Sequence, residues 1–166
     1  MQCRDMKASS FGDILSLLAQ ADVEFVLIGG LAAMAHGSAR ATVDVDVVYR
    51  RTPDNIERLA NCLQSYEPYL RGAPSGLPFV WDTQTIDRGL NFTLSTSLGD
   101  LDLLGEVAGG GTYESLVESS VDTKLFEVTM KCVSLEKLIH LKRAAGRPKD
   151  FEAIAELEIL LEERDQ

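Results

Sequence analysis

The sequence predicts an α+β fold: a small mixed β-sheet flanked by helices, with a helix pair at the C-terminal end. Three observations carry this reading. Residues 24–28 are a compact run, Glu-Phe-Val-Leu-Ile, stopped by Gly29-Gly30 and followed by Ala- and Met-rich residues that favour helix. Residues 43–49 alternate apolar and acidic side chains with the period of a strand. From Ser134 onward the chain carries the start and stop signals of two successive helices.

The elements follow in order. Residues 11–21 set Ile14, Leu15, Leu17 and Leu18 at helical spacing, which predicts a short amphipathic first helix. The strand at 24–28, the glycine turn and a helix at 31–36 come next, with Gly37 suited to the left-handed position that closes a helix. After the second strand at 43–49, Thr52 is expected to cap and Pro53 to open a helix reaching about Leu63. Residues 66–87, with three prolines, show no period and are expected to be irregular apart from one short strand near 79–81. Leu90, Phe92 and Leu94 alternate with polar neighbours, and a Ser-Leu-Gly-Asp turn leads to residues 101–104, so a hairpin is predicted. A further strand is expected at 126–133. Ser134 then caps a helix through Ala145, Gly146 ends it, and Pro148 opens the last helix through about Glu163. With no repeat or linker to divide it, the chain is expected to be a single domain over 1–166, its core at about 11–133 and its C-terminal helices at about 134–163.

Bulk properties narrow the function classes. Apolar residues make up 45% and charged residues 25%, the balance of a soluble globular protein. No apolar run reaches the roughly 18 residues of a membrane span. The first residues, Met1 to Asp5, lack the form of a secretory signal, so a cytoplasmic location with no membrane partner is expected. Cys3, Cys62 and Cys132 are odd in number and far apart, which favours reduced, mostly buried thiols. The formal net charge of −10 disfavours long-range attraction to nucleic acid, so a polyanionic partner would have to meet a local basic patch. The acidic run of the final helix reads as a solvated face.

The chemistry-bearing pattern is Val43-Asp44-Val45-Asp46-Val47-Val48. On a strand, Asp44 and Asp46 project from one face and the alternating valines from the other. Like charges at that spacing repel unless a cation lies between them, and hard oxygen donors of this kind suit Mg²⁺ or Mn²⁺. Alone, such a pair is as readily a solvated strand face. Specificity comes from what precedes it: Ile28-Gly29-Gly30 at a strand end, then a helix, then Arg40-Ala41-Thr42 leading into the acids. Glycines there allow backbone N–H groups to approach phosphate, although a glycine pair can equally be a tight turn. Arg40 can clamp a phosphate through two hydrogen bonds or pair with a strand carboxylate.

With these residues in view, the sequence resembles the nucleotidyltransferase superfamily of DNA polymerase β-like fold. That superfamily's first motif is a hydrophobic residue, Gly and Gly or Ser, then two acids one residue apart on a strand. Here Ile28-Gly29-Gly30 is followed by Asp44-Val45-Asp46. A third carboxylate between apolar residues is matched by Leu101-Asp102-Leu103. Asp100 competes for that place but reads as a turn-former beside Gly99. The helical end is similar to the AbiEii-type branch of abortive-infection toxins, with Lys142 on a helix and Arg147-Pro148-Lys149-Asp150 after it. Where the branch usually has two further aspartates, this chain has Lys137 and Ala153.

The resemblance implies that Asp44, Asp46 and Asp102 hold two divalent ions, Mg²⁺ or Mn²⁺, and that Lys142 and Lys149, with Arg147, neutralise an NTP. Asp102 is then expected to bind the attack-side ion and to accept the nucleophile's proton. Asp150 is functional in the branch, whereas from the residues alone it equally reads as compensating a helix dipole or pairing with Lys149. The implied activity is transfer of an NMP group from an NTP to an acceptor, be it tRNA or other RNA, a protein or an antibiotic-like small molecule. A rival reading is a catalytically silent or regulatory module that works by contacting a partner, such as an antitoxin. A dinucleotide-binding fold is disfavoured, since no Gly-x-Gly-x-x-Gly follows Gly30. His36, His140, Phe79 and Trp81 are expected to be structural.

Overall fold

A computed structural model describes residues 3–166, with side chains from Ser10 onward; the Cys3 thiol lies outside the described residues. The elements run α1 (Cys3–Gln20), β1 (Phe25–Ile28), α2 (Gly29–Ala35), β2 (Asp44–Tyr49), α3 (Pro53–Leu63), β3 (Tyr69–Leu70), α4 (Thr83–Arg88), β4 (Phe92–Thr96), β5 (Gly99–Leu104), α5 (Tyr113–Val117), β6 (Ser120–Leu125), β7 (Val128–Val133), α6 (Leu135–Ala145) and α7 (Pro148–Arg164). The described strands form one mixed seven-stranded sheet in the order β3-β4-β5-β2-β1-β7-β6. This is the α+β architecture expected, with a larger sheet.

Parallel pairing is confined to β2 with β5 and β1 with β7; the remaining neighbours are antiparallel. The β2–β5 pair lies inside the sheet, and its inner side chains Val45, Val47, Leu101 and Leu103 are fully buried. Helix α1 packs against β7, β5 and β2, burying Ile14, Leu15 and Leu18. Its start at Cys3 rather than near residue 11 extends the predicted helix through Met6, Lys7 and Ala8, residue types with good helix propensity.

The predicted caps are present. The Thr52 hydroxyl accepts from the Asn55 backbone and the Ser134 hydroxyl from the Lys137 backbone, while Gly146 closes α6 at φ +63°. Two expectations need correction and one an addition. Residues 79–81 are not a strand. Their place is taken by an aromatic cluster in which Trp81 packs edge-on to Phe92 and its indole N–H donates to the Leu59 carbonyl at 3.4 Å, so side-chain packing rather than pairing orders the segment. The strand expected at 126–133 is present as β7, and what was not expected is its antiparallel partner β6, joined to it by the two-residue turn Phe126-Glu127 with both φ positive. Glycine or asparagine usually marks such a turn. Here Phe126 lies against Gly12 of α1, where an added Cβ would come within 3.1 Å of the Phe126 Cβ. Finally, Asp100 is not a turn residue: Ser97 and Leu98 make the turn, and Asp100 lies inside β5.

Candidate active site

Register in the middle of the sheet builds the acidic corner. Asp44 stands opposite Asp100 and Asp46 opposite Asp102, so the acids of β2 and β5 share one face. Among the described residues, Asp44, Asp46 and Asp102 are the one group of metal-ligating side chains with an oxygen from each within 4.8 Å of the others. All three are half-buried.

Electrostatics there is unfavourable without a cation. Burial, with the Asp44 and Asp102 carboxylates beside it, pushes Asp46 from its ordinary 3.8 up to about 8. Asp44 is also raised, first by burial and then by Asp102 and Asp100, with Arg71 opposing. Hard oxygen donors this close, strained by their own repulsion, fit a small divalent cation.

The glycine pair faces this corner. Gly29 begins α2 at φ +71°, and a Cβ added there would lie 2.2 Å from Asp46 Oδ2. A Cβ on Gly30 would meet Thr42 Oγ1 at 2.5 Å. The glycines therefore let the Asp46 carboxylate and Thr42 lie directly on the backbone where strand becomes helix. Helix α2 starts at Gly29, two residues earlier than expected.

A cavity of about 780 Å³ opens over the acids, with Gly29, Gly30, Asp44, Asp46 and Asp102 lining it. The α6–α7 corner adds Lys142, Arg147, Lys149 and Asp150 to the lining, while Arg40 lies on the segment leading into β2. Every predicted site residue thus borders one space. Lys142 is half-buried; burial holds its ammonium below the usual lysine range, with Asp150, 3.9 Å away, opposing that effect.

Asp150 is buried, at 2% exposure. It accepts from the Arg147 backbone N–H at 3.2 Å and from the Arg147 guanidinium Nε at 2.9 Å, closing the first turn of α7. Burial would raise its carboxyl, but the Arg147 hydrogen bonds outweigh that and hold it below the ordinary range. Its nearest cations are Arg147 and Lys142 rather than Lys149. Arg40 reaches no strand carboxylate: it pairs with Glu152 of α7 at 3.9 Å, because the 37–43 connection runs alongside that helix.

Two features had no part in the sequence reading. Arg71 lies on the acidic face, with Nη2 donating to Asp102 Oδ1 at 2.8 Å. It sits in the aperiodic segment after β3, where no motif marks it. The loop after β5 contributes Glu106, Val107 and Ala108 to the cavity. Its visible signal was Gly109-Gly110-Gly111: a Cβ on Gly109 would lie 2.6 Å from Ala144, and one on Gly110 2.7 Å from a Leu141 methyl, so the glycines allow close docking on α6. Among the residues expected to be structural, His36 Nε2 donates to the Val133 carbonyl at 2.8 Å and Trp81 is buried. No helix among the described residues is long and apolar enough to cross a membrane.

Comparison with known proteins agrees with this geometry. The family described as Nucleotidyl transferase AbiEii toxin, Type IV TA system, matches residues 14–151. Among solved structures, the lincosamide antibiotic adenylyltransferase LnuA with lincomycin bound is similar at 16% identity and a TM-score of 0.59, over 92% of this chain and 96% of that one. ANT(2″)-Ia in complex with adenylyl-2″-tobramycin is similar at 14% identity and a TM-score of 0.56, over 92% and 93% of the two chains. Among curated proteins none matches the chain in sequence.

Proposed function

The chain belongs to the AbiEii nucleotidyl transferase family, and we propose that it transfers an NMP group from an NTP to an acceptor hydroxyl with release of pyrophosphate, using two Mg²⁺ or Mn²⁺ ions held by Asp44, Asp46 and Asp102. The observation that carries this reading is the convergence of those three carboxylates, from two neighbouring strands, in one cavity that Lys142, Arg147 and Lys149 also line. When bound, the ions would supply Lewis acidity at the attacking and leaving oxygens.

The chain's own groups divide the remaining work. Lys142 and Lys149 meet the triphosphate and offset the charge that builds on pyrophosphate. Arg147 is tied to Asp150, which Lys142 also approaches, so its part is to hold the α6–α7 turn that brings Lys142 and Lys149 to the cavity. Asp102 accepts the proton as the acceptor oxygen bonds to the α-phosphorus and the bond from that phosphorus to the β-phosphate oxygen breaks. Asp44 and Asp46, with Asp102, would hold the ions beside which the nucleotide is oriented.

A small hydroxylated acceptor, in the manner of the lincomycin and tobramycin named in the two similar structures, suits this site better than tRNA. A tRNA would need Arg143, Arg147 and Lys149 to face the cavity together; Arg147 and Lys149 line it, but Arg143 does not and pairs with Glu158, and the chain carries a net −10. The test is thermal melting with Mg²⁺ or Mn²⁺ and each NTP. Binding to the native state is expected to raise the Tm of wild type, and Asp44→Asn combined with Asp46→Asn to abolish the shift. An equal shift in the double variant would remove these residues from the site.

A further inference from the structure

Four carboxylates share the acidic face, and one guanidinium spans three of them. Arg71 Nη2 donates to Asp102 Oδ1 at 2.8 Å and to the Leu94 carbonyl at 2.7 Å, Nη1 lies 3.6 Å from Asp44 Oδ2, and Nε lies 3.4 Å from Asp100 Oδ2. Its Nε is buried without a hydrogen bond, so the group is seated by Asp102 and Leu94 at the expense of Asp100. The backbone anchors the residue too, Arg71 N–H donating to the Thr93 carbonyl at 2.9 Å.

Arg71 is placed differently from the other cations of the site. Lys142, Arg147 and Lys149 line the cavity from the α6–α7 corner, whereas Arg71 comes to the acids from the end of β3 across β4. The contacts it makes at the site are with the carboxylates, so its effect passes through them. A planar guanidinium fixes a carboxylate in direction as well as charge, which an ammonium cannot do.

Resting on the transfer reaction proposed above, we infer that Arg71 is a positioning residue: it commits Asp102 Oδ1 to itself, leaving Oδ2 for a cation and the acceptor's proton, and it weakens the hold of the acids on metal as the cost of that geometry. Asp102 then turns as a rigid unit with β4 and β5 rather than as a free rotor. The opposing effect on metal follows from Coulomb repulsion between a fixed positive charge and a divalent ion sharing the same ligands.

The experiment uses the full chain and Mn²⁺ alone, followed by electron paramagnetic resonance, together with pyrophosphate release in the presence of NTP and acceptor. Arg71→Met is expected to bind Mn²⁺ about threefold tighter or more, since a competing charge is gone. Its kcat is expected to fall about tenfold or more, with the KM for NTP changed by less than about threefold, since orientation and not binding is lost. Arg71→Lys, which restores the charge without the fork, is expected to return Mn²⁺ affinity to near wild type but not kcat. Unchanged or weaker Mn²⁺ binding in Arg71→Met would overturn the inference, as would an unaltered kcat or full rescue by lysine. Wild type that binds no Mn²⁺ would overturn the proposed function itself and this inference with it, so the two failures are told apart.

Discussion

The acidic and basic sides of the cavity are built by different means. On the acidic side, Asp44, Asp46 and Asp102 are set by backbone register in the interior of the sheet, and their positions move only if β2 slips against β5. The basic side hangs on the turn between α6 and α7. There, Lys142 and Arg147 converge on the buried Asp150, and Arg40 pairs loosely with Glu152. The acids repel one another, with Arg71 paired to them and Lys142 and Lys149 opposing the repulsion without pairing, whereas most of the cations on the other side already have partners. Rigid placement thus goes with unmet charge, and adjustable placement with met charge. This suits a site whose metal position must be fixed while the triphosphate is gripped and released.

Breaking the acidic side has the largest expected effect. Asp46→Asn should lower nucleotidyl transfer by about a thousandfold in a single-turnover assay, because it removes a donor to the ions. Gly29→Ala tests the same side through the backbone: a Cβ 2.2 Å from Asp46 Oδ2 at φ +71° should cost about 2 kcal/mol of stability in urea unfolding and about tenfold in activity.

The charge conflict itself is read by pH. Asp46 binds its proton more tightly in the folded state, from 3.8 up to about 8, so the native chain holds a proton that the unfolded chain releases between those values. Metal-free wild type should therefore lose stability as the pH rises from about 4 to about 8, more steeply than Asp46→Asn, as thermal melts across that range would show.

On the basic side the effects are smaller. Asp150→Asn removes a buried acceptor of charge-assisted bonds, for about 2 kcal/mol by urea unfolding, and should raise the KM for NTP as the α6–α7 turn loosens. Arg40→Ala, which breaks an exposed pair at 3.9 Å, should change stability by less than about 0.5 kcal/mol. If Arg40→Ala matched Asp46→Asn in activity, the division between the two sides would be wrong.

The acidic side was the more legible of the two in the sequence. Alternation at period two placed Asp44 and Asp46 on one face from local pattern alone, whereas the third acid, Asp102 between two leucines, was found through the family resemblance. Asp100 was misplaced because Gly99 resembles a turn residue, whereas the hairpin turns at Ser97 and Leu98 and uses Gly99 as the first residue of a strand. Cap signals placed the two C-terminal helices within a residue or so, since Ser134, Gly146 and Pro148 act through neighbouring backbone. Asp150 pairs locally with Arg147 at the start of its own helix rather than with Lys149, whereas the partner of Arg40 was less legible, because it depends on how α7 lies against the 37–43 connection. Arg71 was invisible for the same reason: it reaches residues 31 and 27 positions away from a stretch with no period of its own. The strand β6 escaped because its turn, Phe126-Glu127, has neither glycine nor asparagine and is held by packing on α1.

The central claim is that the three acids carry a transfer reaction, and transfer itself tests it most directly. Wild type would be incubated with Mg²⁺, each of the four α-labelled NTPs, and a panel of total RNA, extract protein and hydroxylated antibiotics. Label is expected to pass to one acceptor class in wild type and not in Asp102→Ala at equal protein and matched folding. Label passing equally well in Asp102→Ala would contradict the account.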